Sequence, residues 1–226
     1  MVSQLPKTEA LKTAHSEIYY PDSDGQPMAS NTEQYRWIVT IQQNLDWLLS
    51  DAFVAGDLFW YPIEGRSDIS VAPDVMVALG RPKGKRLSYK QWVEDNVAPQ
   101  VVFEILSPSN TQKEMYQKLL FFERHDVQEY YLYDTETCEL SGFTRGEFGL
   151  TLIPEMLGWV SPALKIRFEM TNGELQLFRP DGLPFSSYQE VLERAESAEE
   201  RAESAEERAK KLAEKLKSLG VAPDQV

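Results

Sequence analysis

Val101-Val102-Phe103-Glu104-Ile105-Leu106 is an almost wholly apolar run with one carboxylate in its middle. Such a run, without polar alternation, reads as a strand buried on both faces. Ser107-Pro108-Ser109-Asn110 breaks it, and Thr111 starts a helix that reaches about His125. Glu129-Tyr130-Tyr131-Leu132-Tyr133-Asp134 then reads as a second strand. A helix between two strands implies a crossover and a parallel pair, the unit of an α/β fold.

Working outward, Trp37, Ile41, Leu45 and Leu48 recur at steps of four and three, which predicts a helix from Thr32 to about Ser50. Asn31 or Thr32 can cap it. Ala52–Tyr61 and Val71–Leu79 read as strands, with a Gly- and Asp-bearing turn between them. Strands at about 138–145 and 148–153 form a hairpin turning at Arg145-Gly146-Glu147, and two more short strands fall within 164–178. Residues 1–31, polar and interrupted by Pro and Gly, read as an extended arm. The globular domain is expected over 32–185.

The tail differs in kind. From Tyr188 the apolar positions are Val191, Ala195, Ala198, Ala202, Ala205, Ala209, Leu212, Leu216 and Leu219, at steps alternating between three and four. The stretch Glu193–Glu199 repeats as Glu200–Glu206. That is a heptad seam, and it predicts a coiled-coil helix over 186–220, pairing two copies of the chain or the chain with a partner helix. Five consecutive alanine layers bury little, so the association is expected to be weak and compatible with an antiparallel pair. The bland alternative is a lone solvated helix held by surface Glu–Arg pairs.

Composition narrows the function. One cysteine, Cys138, excludes an intramolecular disulfide, and with His15 and His125 the only histidines a Cys/His zinc site is excluded too. The same shortage argues against Ser-His-Asp and Cys-His catalysis. No stretch approaches the roughly 20 apolar residues of a membrane span. Residues 1–15 hold no apolar core of a signal peptide, so a cytoplasmic protein is expected. The net charge is −13; residues 186–226, with ten acidic and seven basic side chains, contribute −3 and the front of the chain −10. An acidic chain opposes loose binding to nucleic acid, so any such contact must use a local basic patch.

Three residues are polar where the pattern asks for apolar. Glu104 sits in a buried run, where a carboxylate is costly unless paired, protonated or metal-bound; an edge strand turning it to water is the bland alternative. Asp74 follows Pro73 at the head of Val75-Met76-Val77 and alone reads as an ordinary strand opening. It gains weight if its strand lies beside that of Glu104, because two such carboxylates call for a cation between them. Lys118 falls on the rim of the stripe Met115, Leu119, Phe122. It either snorkels from the core edge or offers a cation to the carboxylates.

Ala72-Pro73-Asp74-Val75-Met76-Val77, Val102 to Ser109, Lys118-Leu119 and Glu129 to Asp134 together resemble, in order, the Uma-two family of the restriction-endonuclease-like PD-(D/E)XK superfamily. The resemblance spans roughly residues 25–180. It implies a restriction-endonuclease-like core, a mixed sheet flanked by helices, and an endonuclease that cleaves DNA with Mg²⁺ or, alternatively, Mn²⁺. Asp74 matches the aspartate of the PD element and Glu104 the acid of the (D/E)XK element, both as metal ligands. The lysine expected two residues after the acid is replaced by Leu106, and Lys118 matches the family's helical lysine. Glu33 is a candidate further carboxylate, against a plainer role at the positive end of its helix. Lys83, Lys85 and Arg86 form the one dense basic loop before the tail, a candidate phosphate clamp or simply a solvated loop. A catalytically silent binding or adaptor protein on a nuclease fold, oligomerising through its C-terminal helix, is the rival reading, and a purely structural oligomerisation protein is another.

Overall fold

Asn31 takes extended backbone and accepts the amide of Gln34, so the first helix, α1 (Thr32–Leu48), begins where the sequence caps it. Its stripe of Trp37, Ile38, Ile41 and Leu45 is buried. Each such side chain contributes about 1.5–3 kcal/mol when fully removed from water. The computed structural model describes residues 18–23, 25 and 28–218. Most of the expected arm, 1–31, and the last seam residue, Leu219, lie outside the described residues. Within the described part of the arm, the Tyr20 ring packs on Tyr61 and Trp92, and the Tyr61 hydroxyl donates to the Pro21 carbonyl.

The strands are β1 (Ala52–Gly56), β2 (Trp60–Tyr61), β3 (Val75–Leu79), β4 (Tyr89–Lys90), β5 (Val101–Leu106), β6 (Glu129–Asp134), β7 (Leu140–Gly146), β8 (Gly149–Leu152), β9 (Arg167–Thr171) and β10 (Glu174–Phe178). Helix α2 (Gln112–Arg124) joins β5 to β6, and α3 (Tyr188–Ser218) ends the described chain. One six-stranded mixed sheet runs β1-β3-β5-β6-β7-β8; β9 and β10 form a hairpin, and β2 and β4 a short parallel pair. Only β5 and β6 are parallel within the large sheet, from Val101 opposite Glu129 to Leu106 opposite Asp134. That is the pair the crossover implied. Thr111 and Glu114 close a reciprocal capping box at the start of α2.

Strand alternation sorts the core. Val54, Val77, Phe103, Ile105, Tyr131 and Tyr133 face α1 and the β9–β10 hairpin. Phe53, Met76, Ala78, Val102 and Tyr130 face the other way, toward Phe122 of α2. Glu104 shares the parity of this second set, and Asp74, one residue before β3, continues it, so the α2 face of the sheet carries these two acids.

Three boundaries differ from expectation. The strand expected over Ala52–Tyr61 breaks in two, because Asp57 adopts φ 47° and turns the chain away. β3 starts only at Val75, because Pro73 has no N–H to give a ladder. The hairpin expected at Arg145-Gly146-Glu147 turns at Glu147-Phe148, between the paired Gly146 and Gly149, with Gly149 at φ 109°. α3 is a single helix of 31 residues with no buried side chain.

Candidate functional site

β3 and β5 run antiparallel with Val75 opposite Phe103. One step further, Asp74 stands opposite Glu104. Opposed residues on neighbouring strands put their side chains on one face, so register alone brings the two carboxylates together. β1 extends the row: Gly56 opposes Val75, which sets Asp57 beside Asp74. α2 then supplies the cation, with Lys118 Nζ donating to Glu104 Oε2 at 2.5 Å.

The partners are unequal. Asp74 Oδ2 accepts the Ile105 amide at 2.7 Å. Glu104 is 1% exposed, and its other oxygen, Oε1, is buried without a hydrogen-bond partner among the described residues. A second buried acid, Glu129, shows how the fold satisfies a carboxylate it keeps for structure: Tyr131 and Ser161 hydroxyls and the Ala163 amide all donate to it. An unsatisfied buried acceptor of this kind costs of order 1–3 kcal/mol, so the fold carries Glu104 Oε1 at a loss.

Burial pushes Glu104 up to about 8; Lys118 pulls it back, while the charges of Asp74 and Asp57 add to the rise. Asp74 is likewise pushed up by burial, to about 6, against the pull of Lys118 and the Ile105 amide. Burial disfavours the charge on Lys118, but Glu104 and Asp74 outweigh it and its pKa ends raised. One net positive charge thus faces two acids that resist ionising together.

Asp74, Glu104 and Lys118 are therefore brought to one place. Glu33 is not: it is exposed and pairs with Arg36 at 2.8 Å, because one helical step turns it away from the α1 stripe. Its neighbour Gln34 takes that position, buried, donating to the Ile105 carbonyl at 2.7 Å and hydrogen-bonding toward Asp74. The basic loop leaves β3 at the end opposite Asp74, roughly 20 Å along the strand direction. Arg86 is held there by Glu94 and lies over the Phe53 ring, Lys83 pairs with Asp46, and Lys85 is exposed. His125 caps α2 and packs against Trp60 and Phe121, away from the acids; His15 lies outside the described residues.

Gln34, Asp57 and Tyr130 went unread in the sequence. Gln34 was findable, since it sits three residues before Trp37 on the apolar stripe, as polar and as misplaced as Glu104. Asp57 interrupts the run 52–61 two residues after Ala55. Tyr130 gave no signal, because an aromatic in a buried strand looks like core.

Among the described residues, no group of three or more His, Cys, Asp or Glu side chains is gathered to hold a metal ion. The donor set on offer is a pair of carboxylates with one unsatisfied buried oxygen. That suits Mg²⁺, which typically takes one or two protein carboxylates and completes its shell with water and substrate phosphate.

Two acids on adjacent strands and a lysine on the following helix thus meet on one face of a mixed α/β sheet. Residues 8–161, more than half of the chain, match the family Uma2, described as "Putative restriction endonuclease", and the chain belongs to that family. A solved structure from Anabaena variabilis ATCC 29413, described as a "putative nuclease belonging to DUF820", is 17% identical over 58% of this chain and 72% of that one, with a TM-score of 0.44. No curated protein matches the chain.

Proposed function

We propose that the protein is an endonuclease that hydrolyses DNA phosphodiester bonds with Mg²⁺ or Mn²⁺ held by Asp74 and Glu104. The observation that carries the reading is Glu104 Oε1, a buried carboxylate oxygen with no partner among the described residues, beside a second acid and a lysine. When bound, the cation would lower the pKa of a water and polarise the phosphate. Asp74, fixed through the Ile105 amide, and Glu104, fixed by its strand, supply rigid oxygens. Gln34 holds the Ile105 carbonyl next to the amide that Asp74 accepts. Lys118 holds a positive charge beside Glu104, where it offsets charge building on a phosphate. Its position on α2 replaces the lysine that Leu106 displaces from β5.

We further assign α3 to pairing with a second copy, supported by a continuous apolar seam that its own domain leaves uncovered. Among the described residues no helix is long and apolar enough to cross a membrane, and we place the protein in the cytoplasm, where DNA is accessible and a lone Cys138 stays reduced.

The test is nicking of supercoiled plasmid by the full chain in Mg²⁺, in Mn²⁺ and in EDTA, with Glu104→Gln alongside. Cleavage that needs metal and disappears in the variant supports the proposal. Absence of cleavage in both metals, or equal cleavage by the variant, overturns it.

A further inference from the structure

On the same face of the sheet, α2 and strands β6–β7 enclose a groove of about 460 Å³. It begins at Leu106, two residues beyond Glu104 on the same side of β5, about 7 Å along the strand. Its wall is apolar, from Leu106, Leu119, Leu132 and Phe143, and its rim is polar and acidic, with Asn110 and the carboxylates of Asp134 and Glu139. Tyr116, largely exposed, adds a flat ring at the mouth. Among the described residues no lysine, arginine or histidine lines it. A phosphate therefore finds no cationic side chain there, only the polar start of α2 at Thr111 and Gln112, whereas a flat, uncharged group with polar edges meets both the apolar wall and the polar rim.

A second observation points to an occupant. Tyr130 lines the groove, is fully buried and is packed against Phe122 and Phe143, yet its hydroxyl has no hydrogen-bond partner among the described residues. Buried hydroxyls are nearly always satisfied. Tyr130 opposes Val102 and so lies diagonally next to Glu104 across the β5–β6 pair. The charges of Glu104 and Asp74 reach its hydroxyl.

We propose that this groove takes an unstacked nucleobase flanking the phosphodiester at the carboxylate site, with the Tyr130 hydroxyl as its buried polar contact. The inference rests on the nuclease reading and narrows its substrate to single-stranded, frayed or base-flipped DNA. A base inside a continuous duplex keeps its faces stacked and cannot enter a groove closed on two sides by α2 and the sheet. Stacking on aromatic rings and contacts to base edges tolerate many sequences, as in other single-strand sites.

The experiment uses the full chain in Ca²⁺, to allow binding without cleavage, and fluorescence anisotropy with two labelled probes. One is a thymidine dodecamer, the other a dodecamer of the same backbone lacking every base. Wild type is expected to bind the base-bearing strand at least 10-fold more tightly. Ser141→Trp, which fills the groove from β7, should abolish that preference. Tyr130→Phe, which removes only the unpartnered hydroxyl and leaves the packing intact, should shrink it several-fold. Equal binding of the two probes by wild type, no binding of either, or an undiminished preference in both variants overturns the proposal. Base preference without cleavage in Mg²⁺ sinks hydrolysis and leaves the groove standing. Metal-dependent cleavage without base preference does the reverse.

Discussion

Glu104→Gln separates a carboxylate kept for structure from one kept for a ligand. In the metal-free fold, burial lifts Glu104 from 4.5 to about 8. At pH 7 the unfolded chain has released a proton that the folded chain still holds. Each pKa unit is worth 1.36 kcal/mol, so this disfavours folding by roughly 3 kcal/mol at pH 7. Glutamine never ionises and escapes that cost. The pull of Lys118 on the ionised form is already contained in that pKa; what stands against the gain is the poorer fit of an amide to the ammonium, in a bond worth about 1.5–3 kcal/mol of which a glutamine oxygen keeps a part. The lysine side chain is 25% exposed and can turn its ammonium to water. The net expectation is a change between nothing and about 2 kcal/mol of stabilisation, or up to roughly 8 °C in melting temperature for a chain of this size. The sign with pH follows from the raised folded pKa. Between 4.5 and about 8 the folded state binds more protons than the unfolded one, so wild-type stability falls as pH rises through this window. The advantage of Glu104→Gln should therefore grow from pH 5 to pH 8 and vanish below pH 4.5. Calorimetric melts of both proteins in EDTA at pH 4.5, 6, 7 and 8.5 measure it. A variant that melts well below wild type at every pH would refute the reasoning and make Glu104 half of a structural ion pair.

Other perturbations probe the remaining parts. Lys118→Met should cut cleavage at least 100-fold. It should leave Mg²⁺ affinity equal or higher, because the ammonium no longer occupies Glu104 Oε2; titration calorimetry that shows lost Mg²⁺ binding would contradict this. Lys83→Ala with Lys85→Ala should lower the salt slope of DNA binding by up to about two units without altering Mg²⁺ affinity. An unchanged slope removes the loop from the interface. Arg86 is left out because its bonds to Glu94 and its stacking over Phe53 tie it to the fold. Sedimentation of the full chain against one ending at Ser186 should show concentration-dependent association only in the former, and identical behaviour over a wide range would dismiss α3 as the pairing element.

The central strands were legible in the sequence because their residues answer to one force. Val101–Leu106 and Glu129–Asp134 are buried on both faces, and their composition alone sets their limits. The ends of β1 and β3 were less legible, since they depend on a left-handed Asp57 and a Pro73 whose effects are conformational, not hydrophobic. In the site, Asp74, Glu104 and Lys118 could be picked out as polar residues at core positions. Glu33 misled because a helix boundary rich in polar residues gives little information on phase; a shift of one residue exchanges Glu33 for Gln34. Tyr130 was hidden because its oddity lies in one unpaired atom, which only three-dimensional packing reveals.

Were α3 to pair with a second copy as proposed, its 31 residues would act as a ruler. At 1.5 Å per residue the helix is about 46 Å long. Two copies pairing in parallel would carry their domains at the same end, side by side, where one duplex segment could be reached on both strands. Pairing in antiparallel would hold the domains a helix length apart. At 3.4 Å per base step that separation is roughly 14 steps. The direction of one alanine-rich seam would then decide whether two cuts fall close together or more than a turn of DNA apart, and the length of the fragments released would report it.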